Sequence, residues 1–424
     1  MSVATVDDLQ SWIEKMMTSL SIDDYKLDIG GNTTRGDGYL GEVTFLKVFT
    51  TKNGTKKDYD LVIKSAKKSE ELRKQTPIKE AYDRESLFYS KIFPVLDEFQ
   101  RQKGIEKPFV NVPKCYSISK EITKEAVILQ NLKTLGFDLH DRKQPMNLHH
   151  ILLVFQNYGR YHALSLALRL KKPSVFKSIT KNLTDVFGQF IVQAQMLGVF
   201  YKEFDNLKRL LEKDQETEAL KKFDDFEKEF EKILINFTDE DTDPSMLIHG
   251  DCWNNNFMFK YEVTIYSLIY KQFKTFFQGD DKTKPTDMRF LDFQIVRVAS
   301  PVIDLSYFLY CCADKQVLKD FDFILQAYHS SLTDFLTELG CDAEAVFPFK
   351  KLKEHWKQYG KYGLIISLFL LKISLCDSNE APDLMETAEK GEDFTESFKL
   401  KIQNEDVYNE RIKNVYLHFA EKFL

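Results

Sequence analysis

The chain has 424 residues, a formal net charge of −6 and 43% apolar residues. That charge excludes the basic surface a nucleic-acid-binding protein needs, and the apolar share suffices for two substantial cores. Six cysteines, at 115, 252, 311, 312, 341 and 376, show no C-x-x-C pair or metal-ligand spacing, so they are expected as reduced thiols of a cytoplasmic protein.

In chain order, residues 1–20 contain Asp7, Asp8 and Glu14 and no apolar core, which argues against a signal peptide. The first predicted strands, Tyr25–Ile29 and Val43–Phe49, flank Gly36-Asp37-Gly38-Tyr39-Leu40-Gly41. Such a glycine-containing hairpin can lay backbone N–H groups over phosphates, although by itself it also reads as an ordinary turn. Tyr59-Asp60-Leu61-Val62-Ile63-Lys64 reads as a β-branched strand ending in a lysine. A helix is predicted over 77–93, with Thr76 as N-cap and Pro77 as first position. Its apolar stripe is Ile78, Ala81, Tyr82, Phe88, Tyr89 and Ile92, and Glu85 falls inside it, whereas Glu80 and Asp83 fall off it. A carboxylate on a buried face needs a partner, and Lys64 is the expected one. The alternative is a Glu85 partly exposed at the edge of the stripe.

Further along, His162 falls in a helical pattern with Tyr158, Leu164 and Leu168 and is expected as a satisfied core histidine. A long amphipathic helical region is predicted over 207–237, with Phe223, Phe226, Phe230, Ile233 and Phe237 on one stripe. The richest segment is His249-Gly250-Asp251-Cys252-Trp253-Asn254-Asn255-Asn256, followed by Leu291-Asp292-Phe293-Gln294. Phosphoryl transfer asks a protein mainly for positioning and charge neutralisation. Asp251 can take the proton of an acceptor hydroxyl, while Asn256 and Asp292 offer the hard oxygens that magnesium prefers. His249 is expected as a pin for the loop rather than a proton carrier, and Cys252 and Trp253 are expected to pack behind it. Asp304 is either a brace accepting loop N–H groups or the N-cap of a helix over 305–309. The longest apolar run, Gly363–Cys376, is too short to span a bilayer and contains Lys372, so a buried helix is expected.

The order of these parts resembles the choline/aminoglycoside kinase superfamily, and within it the ecdysteroid-kinase-like branch of arthropods. Arg84-Glu85-Ser86-Leu87-Phe88-Tyr89 closing at Pro94, Tyr161-His162-Ala163-Leu164-Ser165, and the D-F-Q segment with Ser300-Pro301 and Asp304-Leu305 carry the resemblance. It implies an α+β, bilobal protein-kinase-like fold: a β-rich N-terminal lobe over 1–129, a hinge at 130–132 and a mainly helical C-terminal lobe over 133–424. It also implies ATP-dependent phosphorylation of a small-molecule alcohol, with ATP and Mg2+ as cofactors and no nucleic-acid or membrane partner. Gly36, Gly38, Gly41, Lys64, Glu85, Gln130, Asn131 and Leu132 would then serve the nucleotide, Asp251 the chemistry, and Asn256 and Asp292 the metal. The implied acceptor is an ecdysteroid or related polycyclic alcohol, or a hydroxylated xenobiotic. A protein kinase is disfavoured, because D-F-Q replaces D-F-G and no A-P-E-like segment follows. A catalytically inactive binding protein of the same fold is the other reading.

Three departures accompany the resemblance. The hinge, commonly L-E-D-L, reads Leu129-Gln130-Asn131-Leu132, with amides for both carboxylates; since adenine is recognised there mainly by backbone groups, nucleotide binding is expected to survive. Gly41 stands where a small hydroxyl residue is frequent. The stretch Tyr261–Gln278 adds an aromatic-rich segment to what is usually a compact hairpin. It is either a genuine insertion or an unspliced segment, and the smooth join of Phe259-Lys260-Tyr261 to Asp281-Lys282-Thr283-Lys284-Pro285 favours the second.

Overall fold

The computed structural model describes residues 4–32, 40–52, 55–236, 242–262, 282–392, 394–398 and 402–424. Gly36, Gly38, Phe237 and residues 263–278 of the aromatic-rich stretch lie outside them. The chain opens with α1 (Val6–Ser19), whose start is fixed by a reciprocal cap: Asp8 N–H donates to Thr5 Oγ1 at 3.2 Å and Thr5 N–H to Asp8 Oδ2 at 2.8 Å. Five strands follow as an antiparallel sheet: β1 (Tyr25–Asn32), β2 (Gly41–Lys52), β3 (Thr55–Ala66), β4 (Cys115–Ser119) and β5 (Ala126–Gln130), in the order β1-β2-β3-β5-β4. Side chains alternate across a strand. Leu46, Val48, Leu61, Ile63, Ala126 and Ile128 therefore pack under Leu9, Trp12, Ile13 and Met16 of α1. The intervening Val43, Phe45, Val62, Lys64 and Leu129 face a cleft on the other side. The same alternation that builds the small core aims Lys64 at the cleft.

Between β3 and β4 the chain makes α2 (Glu70–Gln75) and α3 (Ile78–Leu87), then a π-helical turn over Phe88–Ile92, then α4 (Phe93–Gln102). The predicted helix is present, but two details differ. Pro77 caps α3 rather than starting it, and Thr76 closes α2, its hydroxyl bonding Leu72 O at 2.7 Å. Nor does Pro94 end the helical run. The wider turn, with Phe93 N–H bonded to Phe88 O, resets the hydrogen-bond ladder so that Pro94 falls in the first turn of α4, where a missing N–H costs nothing.

The larger lobe begins after β5 with β6 (Phe137–Leu139) and α5 (Leu148–Lys171), α6 (Pro173–Thr180), α7 (Val186–Gln193), α8 (Leu197–Lys213) and α9 (Thr217–Asn236). The region 207–237, predicted as one amphipathic stretch, is an antiparallel pair broken at Asp214–Glu216, where Gln215 takes a positive φ of 58°. Phe223, Phe226, Phe230 and Ile233 are buried on the predicted stripe. Next come β7 (Met246–Ile248), β8 (Phe257–Tyr261), β9 (Pro285–Phe290) and β10 (Arg297–Ala299). β8 and β9 pair on either side of the aromatic-rich stretch, and Tyr261 belongs to β8, its hydroxyl 3.0 Å from His150 Nε2. The chain ends with α10 (Val302–Cys312), α11 (Phe321–Glu338), α12 (Phe349–Leu375), α13 (Leu384–Glu389) and α14 (Glu405–Phe423).

Two glycines let the central helices touch. A Cβ at Gly363 would overlap the Ser306 carbonyl carbon, so α12 lies directly on α10; one at Gly159 would meet Tyr328 O at 2.8 Å, where α5 meets α11. The run Gly363–Cys376 is buried as expected except at the half-buried Phe369 and Leu370, and Lys372 pairs with the buried Glu203 at 2.9 Å. Among the described residues no helix is long and apolar enough to cross a membrane, and all six cysteines are free thiols. The architecture is α+β and bilobal, protein-kinase-like in the order of its parts.

Candidate active site

Lys64 Nζ lies 2.8 Å from Glu85 Oε2 and 2.5 Å from Asp292 Oδ1. Glu85, one of the two carboxylates, is 1% exposed, so the edge-of-stripe alternative is not realised. Burial pushes the Glu85 carboxyl up against the opposing pull of Lys64. For Lys64 burial favours the neutral amine, but the Asp292 and Glu85 carboxylates outweigh it and hold the ammonium form. Asp292 reaches this point through a strained backbone: its φ is 63°, a region that costs an L-residue energy and persists only when its surroundings impose it. The imposition is visible in Phe293, which stacks on Phe88 with centroids 3.5 Å apart and planes at 6°.

The loop bearing Asp251 is held from below. Asp304 Oδ2 accepts the His249 N–H at 2.7 Å, and its Oδ1 accepts the Gly250 N–H at 2.8 Å and the Cys252 thiol at 3.1 Å. His162 Nε2 adds a fourth contact to Asp304 at 3.2 Å, while its Nδ1 meets the Tyr328 hydroxyl at 3.0 Å. Burial works to raise the Asp304 carboxyl, but His162 and the loop donors bring it below its ordinary value. Asp304 is therefore the brace and not a helix cap, since Pro301 occupies the cap of α10. His162 is the satisfied core histidine expected. His249 is the pin expected: its Nε2 meets Leu291 O at 2.7 Å and its Nδ1 accepts the Asp251 N–H at 3.2 Å, tying the two motif segments together.

Asp251 itself is oriented by two donors. The Tyr307 hydroxyl reaches Oδ1 at 3.0 Å and Gln294 Nε2 reaches Oδ2 at 3.3 Å. Burial, with the charge of Asp292, raises the Asp251 carboxyl above its ordinary value, against the lowering effect of Tyr307 and Asn256. Asn256 donates its Nδ2 to Asp251 O at 2.9 Å, which leaves its Oδ1 for another partner. Tyr307 carries no sequence signal, and Gln294 appears there only as a letter of the motif. Cys252 is fully buried behind the loop, where burial raises its thiol well above the ordinary value, so it is not poised for alkylation. Trp253 belongs to the buried core and also lines the cavity.

One cavity of about 350 Å³ gathers these groups. Gly41, Lys64, Glu85, Gln130, Asn131, Leu132, Asp251, Asn256 and Asp292 all line it. Gln130 ends β5, and Asn131 Oδ1 caps the short turn after it by accepting the Lys133 N–H at 3.0 Å. One of these two amide side chains thus makes a local structural bond. Magnesium usually takes one or two protein oxygens plus phosphate and water. Asp292 and the spare Asn256 Oδ1 fit that donor set.

The family model for the ecdysteroid kinase-like family matches residues 35–267 and 275–341, and the break at 268–274 falls inside the aromatic-rich stretch. No curated protein matches the chain. Among solved structures, the GDP complex of a point mutant of aminoglycoside 2'-phosphotransferase-IIIa is 12% identical with a TM-score of 0.40, covering 98% of this chain and 97% of that one. The GDP complex of the wild-type enzyme is 13% identical with a TM-score of 0.35, covering 86% and 97%. With the family model spanning well over half of its length, the chain belongs to the ecdysteroid kinase-like family.

Proposed function

We propose that the protein is an ATP-dependent kinase that phosphorylates a hydroxyl of a neutral, largely apolar small molecule, an ecdysteroid-like or other polycyclic alcohol. The observation that carries this reading is the arrangement of Lys64 between Glu85 and Asp292, with the clamped Asp251 lining the same cavity. ATP with Mg2+ supplies the activated phosphoryl group and part of the neutralising charge when bound. Lys64 offers its ammonium to the phosphates, and Glu85 keeps that ammonium in place. Asn256 and Asp292 hold the metal, while Asp251 takes the proton of the acceptor hydroxyl.

The acceptor side supports the neutral class. Phe187 and Phe190 of α7, Phe369, Leu370 and Ile373 of α12, and Leu384 of α13 form an apolar wall of the cavity. The carboxylates among the cavity's described residues are Glu85, Asp251 and Asp292, all assigned above to lysine, proton and metal. A polycationic acceptor would enter this cavity without a counter-ion of its own. An apolar alcohol gains instead from contact with three phenyl rings. The test is a magnesium-ATP transfer assay on a panel of ecdysteroids, sterols, choline-like amines and hydroxylated xenobiotics, read by mass. A phosphate-sized gain on the neutral polycyclic members is expected. Transfer confined to the amines would overturn the acceptor class, and transfer to none with ATP bound would favour a binding protein of the same fold.

A further inference from the structure

Tyr82 lies three residues before Glu85 on α3, hence on the same face of the helix. It is 2% exposed, lines the cavity, and has its ring centroid 5.9 Å from Lys64 Nζ. Its hydroxyl is buried and has no hydrogen-bond partner among the described residues. Native proteins rarely leave such a group orphaned, and those that do commonly reserve it for a ligand or water. The position of the hydroxyl is specific. A Cβ at Gly41, the first residue of β2, would collide with Tyr82 Oη. The phenol therefore sits directly against the start of β2, beside the lysine, in space that a larger residue at 41 would fill. Burial pushes its ionisation above the ordinary value despite the nearby Lys64, so it remains a neutral O–H donor at physiological pH.

We propose that Tyr82 Oη is a nucleotide ligand, donating a hydrogen bond to a phosphoryl oxygen held between Gly41 and Lys64. This rests on the ATP reading of the cavity. It explains three things together: an orphaned hydroxyl, a glycine required at 41, and a tyrosine sharing a helix face with the lysine's own partner. Lys64 has two carboxylates on it and Tyr82 has none within bonding distance. The tyrosine supplies a neutral donor where a second cation would repel Lys64.

The test uses the full chain and needs no acceptor. Wild type and Tyr82→Phe are titrated calorimetrically with magnesium-ATP and with adenosine at millimolar concentration, and both proteins are melted without ligand. Expected is roughly ten-fold weaker ATP binding in the variant, the scale of one hydrogen bond to a charged group. Adenosine binding should be unchanged. The ligand-free melting temperature should be equal or higher, because the hydroxyl has no protein partner to lose. Equal ATP affinity in the two proteins would remove the Tyr82 contact and leave the nucleotide site standing. A parallel loss of both ligands with a lower melting temperature would make Tyr82 structural and overturn the proposal. A wild type that binds neither ligand would overturn the nucleotide reading and this contact with it.

Discussion

The Tyr307 hydroxyl donates to Asp251 Oδ1 at 3.0 Å from the same face of α10 that presents Asp304 to the backbone of His249 and Gly250. Three residues apart on one helix, Asp304 sets the path of the loop and Tyr307 sets the rotamer of its carboxylate. A single rigid element thus positions both the main chain of the loop and the Asp251 carboxylate, which is how a site holds its geometry to a fraction of an ångström.

Replacing Tyr307 by Phe removes one charge-assisted hydrogen bond and little volume. Turnover should fall by roughly ten-fold, the scale of a hydrogen bond to a charged group, while the KM for ATP stays near wild type. A fall in ATP affinity with unchanged turnover, read from steady-state kinetics on any accepted alcohol, would show that Tyr307 does not act through Asp251.

The pH profile carries a second expectation. Asp251 must be ionised to accept a proton, and burial together with Asp292 raises its carboxyl above the ordinary 3.8. Activity should therefore be lost on acidification at a pH above that of a free aspartate. Tyr307→Phe should move this acid limb further up, because a donor favouring the ionised form is gone. An acid limb at or below the free-aspartate value would contradict the assignment.

Asp292→Ala removes one of the two oxygens assigned to the metal and one of the two carboxylates on Lys64. ATP affinity in the presence of magnesium should drop well below wild type, and the dependence of binding on magnesium concentration should flatten. Titrations that superimpose on wild type across a magnesium series would refute the ligand role.

Gly363→Ala tests the scaffold. The new methyl would overlap the Ser306 backbone, next to Tyr307, so α12 must move away from α10. Overpacking of this kind costs about 1–3 kcal/mol. Denaturant unfolding should show that loss, and turnover should fall with it because α10 carries Asp304 and Tyr307. Unchanged stability would mean that the two helices are not in the contact described.

How much of this was legible in the sequence follows from how local each signal is. Lys64 and Glu85 could be paired because strand alternation and helical spacing are short-range rules, and each points its side chain independently of the rest of the fold. Asp251, Asn256 and Asp292 announced themselves through residue type and spacing. Tyr307 did not, because every residue of α10 is buried and no amphipathic period singles one out. The break between α8 and α9 was hidden because Gln215, not Gly, takes the left-handed turn inside an otherwise continuous run of Lys and Glu. Pro94 read as a stop because a π-helical turn has no sequence signature comparable to a proline. The apolar wall of the cavity assembles α7, α12 and α13, nearly two hundred residues apart in the chain, and only tertiary packing brings those side chains to one surface.

The most direct measurement compares wild type with Asp251→Asn for magnesium-ATP binding and for phosphoryl transfer to a neutral polycyclic alcohol, with product read by mass. Binding within a few-fold of wild type and loss of nearly all product is expected, because the amide keeps the shape of the carboxylate but cannot take the proton. Product formed at the wild-type rate by Asp251→Asn would contradict the central assignment.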